Sequence, residues 1–271
     1  MQGWKQFIPT EKKIDYINAL LRVGFDTIDF GSFVSHKVIP QMADTAKVLS
    51  GLLFGQSNTK LLAIVANLRG AGEAVVYDQV HYLGFPFSIS ETFQQRNTNS
   101  SIEESLQRTE DIQELCLKNN KELVVYISMG FGNPYGDAYS PEIVFAWVNK
   151  IVQLGVKTIS LADTVGLASP EQVFAITNYL VKLLPQQEIG VHLHSTAANW
   201  QDKLDAAVNA GCKRFDGALK GMGGCPMAGD ELVGNMDSEL MIPYFESKGM
   251  LTNIDQAALL KSSRLAAQLF E

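Results

Sequence analysis

Long apolar runs are absent from this 271-residue chain: no stretch approaches the ~18 residues that a membrane-spanning helix needs, and no secretory leader is recognisable behind Met1. Cysteine is scarce. Cys116, Cys212 and Cys225 are odd in number and widely spaced, which argues against a disulfide framework and fits a reducing cytoplasm. Positive charge is also short. Lys and Arg total 22 against 29 Asp and Glu, and the net charge of -7 argues against nucleic acid as the main partner. It leaves room for an anionic cofactor held in a local basic pocket. No linker interrupts the chain, so residues 1–271 are expected to form one domain, soluble and cytoplasmic, with neither nucleic acid nor membrane as partner.

What is present is a core and a rhythm. Apolar residues make up 46% of the chain, ample for a large interior. Short apolar segments alternate with amphipathic ones. Candidate strands cover 27–33, 60–67, 79–89, 122–129, 157–163, 188–194 and 214–219, and their cores are rich in Val, Ile and Leu, as parallel strands buried on both faces require. Helical patterns fill 101–119, 140–154, 170–184 and 200–210, the first opening with a capping box of Ser101 and Glu104. Such alternation predicts a parallel sheet, closed as a barrel or open and doubly wound. A barrel needs eight strands, and seven are found. The chain opens on a helix for which Thr10 is the expected N-cap, followed by Ile14, Ile17, Leu20 and Leu21 at helical spacing. The expected fold is an α/β (β/α)₈ (TIM) barrel with its first strand missing and with C-terminal helices.

One segment concentrates the chemistry. In Gly190-Val191-His192-Leu193-His194, residues 190, 192 and 194 share one face of a strand and Val191 and Leu193 the other. Two histidines at i, i+2 lie about 7 Å apart and project the same way, so both rings can converge on one metal ion. The bland alternative is a pair of hydrogen-bonded core histidines. With four His in the chain and two of them here, the spacing favours ligands.

Around that segment stand, in order, Gly31-Ser32-Phe33-Val34-Ser35, the run Asn99-Ser100-Ser101-Ile102-Glu103-Glu104-Ser105, Asp163-Thr164-Val165-Gly166 and, after the histidines, Gly223-Gly224-Cys225-Pro226. Together these motifs resemble the 3-hydroxy-3-methylglutaryl-CoA lyases, within a wider group of metal-dependent aldolase-like and Claisen-like barrels. The Gly-Gly-Cys-Pro loop discriminates most, since the related synthases share the histidines but not this cysteine signature. The resemblance implies His192, His194 and Asn235 as metal ligands, Cys225 as the thiol of a lid loop, and Asp29 as a catalytic carboxylate one methylene shorter than the usual glutamate. It also implies His192 and Asp163 as catalytic groups, Mg²⁺ or Mn²⁺ as the ion, an acyl-CoA thioester as substrate, a place in leucine breakdown and a homodimer. Ser195 departs from the aspartate that usually follows the second histidine. The adjacent Arg and Asp that end the first strand in these lyases, an enolate stabiliser and a fourth ligand, fall before Met1. The chain as given is therefore expected to be an impaired lyase, improved by a segment carrying that pair.

The residue types suit the chemistry. Retro-Claisen cleavage of a tertiary alcohol needs a base for the hydroxyl proton and stabilisation for the departing enolate, and a divalent ion on the substrate's oxygens serves both ends. Neutral His, an amide oxygen and open water positions suit Mg²⁺ or Mn²⁺. Each residue also has an ordinary reading. Asp29 serves equally as a structural acceptor, Asp163 as the cap of the next turn, and Cys225 as an idle thiol. His36 and His81 have no supporting neighbours, and Arg96, Lys213 and Lys220 are CoA-phosphate candidates or plain surface charges. A 2-oxoacid aldolase or synthase and a barrel that has lost its activity are the competing functions.

Overall fold

The computed structural model describes residues 1–4, 6–223, 234–251 and 253–270. Its centre is a parallel sheet of seven strands in the order of the sequence: β1 (Thr27–Ser32), β2 (Lys60–Ile64), β3 (Val80–Ser88), β4 (Glu122–Ser128), β5 (Thr158–Ala162), β6 (Glu188–His192) and β7 (Arg214–Asp216). The expected strands are all present, each shorter by a residue or more. Helices α1 (Thr10–Leu20), α2 (Thr45–Ser50), α3 (Leu68–Ala74), α4 (Glu91–Thr98), α5 (Ile102–Lys118), α6 (Pro141–Gln153), α7 (Pro170–Leu183), α8 (Trp200–Asn209), α9 (Ser238–Ser247) and α10 (Gln256–Leu269) complete it. Sequential neighbours all pair in parallel, as right-handed strand-helix-strand units do, giving a barrel-like sheet with one strand missing.

Strand alternation sorts the side chains into two cores. Leu61, Ala63, Leu83, Phe85, Val125, Ile127, Ile159, Leu161 and Val191 are fully buried in the cluster that also takes in the helices. The opposite face carries Leu62, Tyr82 and Val124, with Ile64 and Tyr126 against them. Glycines make room there. A Cβ on Gly84 would meet Ile64, Leu62 and Tyr126 side-chain atoms at 2.6–3.0 Å, and one on Gly190 would meet Arg214 at 2.9–3.0 Å.

Serine caps set several helices at the carboxyl ends of strands. Ser90, Ser140 and Ser169 each accept from a backbone N–H of the first turn, and Ser101 forms the expected capping box with Glu104. Thr10 corrects the expectation for α1. Pro9 occupies the N-cap, and Thr10, already helical, donates its hydroxyl to Asp44 Oδ2 at 2.8 Å.

Among the described residues β1 and β7 do not pair, so the sheet is open at that seam. A second apolar cluster of Tyr16, Val23, Leu219, Ile242, Leu259 and Ala266 joins α1, α9 and α10 with the segments before β1 and after β7. Backbone bonds tighten it: Asp255 N–H donates to the Val23 carbonyl at 2.9 Å. Gly24 sits at φ +94° with its missing Cβ 2.4 Å from the Asn253 carbonyl oxygen, a position no other residue fits.

Candidate active site at the carboxyl end of the sheet

The polar end of the inner face is assembled by register. Ala162 of β5 stands opposite His192 of β6, and His192 opposite Asp216 of β7. His192 Nδ1 lies 3.4 Å from Asp216 Oδ2, and the same carboxylate oxygen accepts from Ser160 Oγ at 3.1 Å. Tyr126 presents its ring edge-on to His192, with centroids 5.8 Å apart.

The expected strand through residue 194 stops at His192. Beyond it the chain leaves β7 and runs antiparallel to residues 234–236, with Ser195 N–H donating to Gly234 O and Met236 N–H to Leu193 O. This crossing keeps both imidazoles together, their centroids 5.6 Å apart, and places Asn235 in an antiparallel bridge with His194. Asn235 Nδ2 donates to Met222 O at 3.0 Å, and the Asn235 side chain adds to the raising of the His192 pKa.

Charges tune the two rings in opposite directions. For His192 burial favours the neutral form, but the Asp216 hydrogen bond and the Asp216 and Asp29 charges outweigh it and raise its pKa. For His194 burial dominates, and the positive charges of His192 and Lys203 add to it, pushing the pKa down to about 3. Burial pushes the Asp216 carboxyl up, yet His192, Arg214 and Ser160 hold it below its ordinary value. Asp29 on β1 is exposed to water, yet the protein around it desolvates its carboxyl enough to raise the pKa to about 7, against the pull of the Met1 amino group and His192.

The structure thus brings together His192, His194, Asn235 and, by electrostatic coupling, Asp29. Asp163, expected as a catalytic group or a turn cap, is engaged with Lys203 and with the backbone beside the histidines. It is 2% exposed, its Oδ2 takes Lys203 Nζ at 2.7 Å, and its Oδ1 accepts from Ala168 N–H. Cys225 lies outside the described residues. The described residues on either side of that segment sit against the site: Gly221 O accepts from Asn235 N–H, and a Cβ on Gly223 would touch Asn235 Nδ2. Ser195 donates to Met236 Sδ. His36 and His81 are exposed, His81 Nδ1 accepting from Leu61 N–H; Arg96 covers the Tyr135 ring and Lys220 pairs with Glu239.

Sequence reasoning missed Asp216, Ser160, Tyr126 and Lys203. Asp216 had a signal: Arg214 and Asp216 alternate with Phe215 in the strand after the histidines, and neighbouring parallel strands share inner-face positions. Lys203 had none, since a lysine on a helix normally faces water.

A divalent ion fits these donors. His194 is held neutral, as a ligand must be, and its buried Nδ1 has no hydrogen-bond partner. Among the described residues no three His, Cys, Asp or Glu side chains form a metal-holding group, and the donors gathered here are two imidazoles and one amide.

The HMGL-like family profile matches residues 1–266. The chain belongs to the HMGL-like family. It is 32% identical over 255 residues to the cytoplasmic 3-hydroxy-3-methylglutaryl-CoA lyase of Rattus norvegicus, covering 94% of this chain and 74% of that one. Among solved structures, an HMG-CoA lyase from Acinetobacter baumannii in complex with coenzyme A and 3-methylmalate superimposes with TM-score 0.90 at 34% identity, over 99% of this chain and 87% of that one. The HMG-CoA lyase of Pseudomonas aeruginosa gives TM-score 0.90 at 30% identity over 99% and 88%. Members of this family are metal-dependent lyases and aldolases.

Proposed function

We propose that this chain is a carbon–carbon lyase that cleaves 3-hydroxy-3-methylglutaryl-CoA to acetyl-CoA and acetoacetate. The observation that carries the reading is the His192–His194–Asn235 cluster, with Asp216 at the end of β7 and Asp29 of β1 coupled to His192 by charge. The names and the coenzyme A complex of its relatives support the substrate class. The same resemblance carries the expectation of a cytoplasmic homodimer acting in leucine breakdown. Among the described residues no helix is long and apolar enough to cross a membrane.

His192, His194 and the Asn235 amide oxygen would hold the ion. When bound, Mg²⁺ or Mn²⁺ supplies Lewis acidity toward the substrate's hydroxyl and carbonyl oxygens. The rest is the work of side chains. Asp29, with its pKa near 7, is matched to take the tertiary hydroxyl proton near neutral pH. As that proton leaves, the bond between the carbinol carbon and the thioester's α-carbon breaks, giving the ketone of acetoacetate and the enolate of acetyl-CoA. A proton delivered to the α-carbon completes the balance, and Cys225 is the proposed donor. Asp216 holds His192 by Nδ1, which leaves the other ring nitrogen for the ion.

Acetoacetate release from 3-hydroxy-3-methylglutaryl-CoA, measured with Mg²⁺ or Mn²⁺ and in a metal-free blank, tests the proposal. Metal-dependent release is expected, and His192→Ala should lower it by at least about 100-fold, the scale of losing one electrostatic group from an acyl-transfer site. Release no faster than the blank, or turnover of 2-oxoacids in its place, would overturn it.

A further inference from the structure

Fully buried lysines are rare because the ammonium loses its water. Among the described residues two lysines are almost wholly buried, Lys13 and Lys203, each about 1% exposed. Lys13 pairs with Asp44 at 2.7 Å, where α1 meets α2. Lys203, on α8, reaches the candidate active site. Its three N–H groups have three acceptors: Asp163 Oδ2 at 2.7 Å, the His194 carbonyl at 2.9 Å and the Gly166 carbonyl at 3.3 Å.

The middle contact is the informative one. In the extended segment after β6, Leu193 O and Ser195 N–H face residues 234–236, so the His194 carbonyl faces the other way. There, among the described residues, its donor is the Lys203 ammonium. That bond fixes the peptide plane between His194 and Ser195, and the plane fixes where the His194 Cα–Cβ bond points. Asp163 in turn holds Lys203, and its own N–H donates to the His192 carbonyl at 3.0 Å. The ion pair therefore grips the His194 carbonyl through Lys203, which is held by a residue whose own backbone is bonded to His192. Stability alone does not account for it, because a buried ion pair can be exchanged for apolar groups at little cost.

We infer that Lys203, braced by Asp163, is a positioning residue that sets the His194 imidazole for metal binding. The inference rests on the reading of His194 as a ligand given above. The test compares the Mn²⁺ affinity of the wild-type chain, read by electron paramagnetic resonance, with that of Asp163→Asn/Lys203→Met, which removes both charges together. Lys13→Met/Asp44→Asn, a second buried ion pair that makes no hydrogen bond to either histidine, controls for loss of stability alone.

The expected result is about 10–100-fold weaker Mn²⁺ binding in the Asp163/Lys203 variant, the range seen when groups that orient metal ligands are removed, and unchanged binding in the control. Affinity within about 2-fold of wild type in a folded Asp163/Lys203 variant would overturn the inference. If that variant does not fold, Lys203→Gln, which keeps a donor but not the reach, is read in the same way. If the wild-type chain binds no Mn²⁺, the metal reading fails and the clamp is judged by the ¹⁵N–¹H signals of the His194 ring. A shift or doubling of those signals in the variant supports the clamp, and identical signals overturn it.

Discussion

His194 shows how one side chain couples a site to the stability of its protein. Burial, with His192 and Lys203 nearby, lowers its pKa to about 3 from an ordinary 6.5. Between those values the unfolded chain binds a proton there that the folded chain refuses. Stability is therefore complete above pH 6.5 and is lost as pH falls below it. At about 1.4 kcal/mol per pH unit, the loss at pH 4.5 is about 2–3 kcal/mol. Asp29 and His192, whose pKa values are raised, act in the opposite sense, because the folded chain holds their protons more tightly. Comparing metal-free wild type with His194→Gln cancels those contributions. Urea unfolding at pH 7 and pH 4.5 should show the variant losing less stability on acidification by that amount. Equal losses would mean that His194 is not held neutral by its surroundings.

At the scale of elements, the pairing of β6 and β7 depends on a residue with no side chain. Gly190 faces Arg214 across the pair, and an added Cβ would lie 2.9–3.0 Å from Arg214 Cδ, Cβ and Cγ. The Arg214 Cβ and Cγ lie close to its backbone and cannot swing away. Arg214 also bonds Glu188 at 3.1 Å, and its charge helps to hold Asp216 ionised beside His192. Gly190→Ala should cost about 1–3 kcal/mol by overpacking, measured by urea unfolding, and a loss below about 0.5 kcal/mol would show that the strands shift freely. The elements themselves were legible in the sequence. All seven strands and the Ser101–Glu104 capping box follow from periodicity and cap chemistry, which act over a few residues. What was not legible depends on contacts between distant residues. The strand end at His192 is set by pairing with 234–236, and Asp163 is paired with Lys203, 40 positions away. Asp216 joins the site through β6–β7 register, which periodicity within one strand does not report.

For the molecule as a whole, the open seam between β1 and β7 is the structural question, since unpaired strand edges expose backbone groups and apolar surface. The C-terminal helix packs against the segments that flank that seam, before β1 and after β7. Leu259 and Ala266 of α10 join Tyr16 of α1, Ile242 of α9 and Val23 in one cluster, with Leu219 from the turn after β7. The two edge strands are thus held through their following or preceding segments and not through each other. If this cluster is what holds the barrel's curvature, trimming its centre should be felt by the entire fold. Leu259→Ala removes a side chain that is 9% exposed, and large-to-small changes at such sites cost about 2–4 kcal/mol. A single cooperative urea transition, moved to lower denaturant by that amount, is the expected outcome. An early separate transition for α10, with the rest unfolding as in wild type, would show that the helix rests on the seam without closing it.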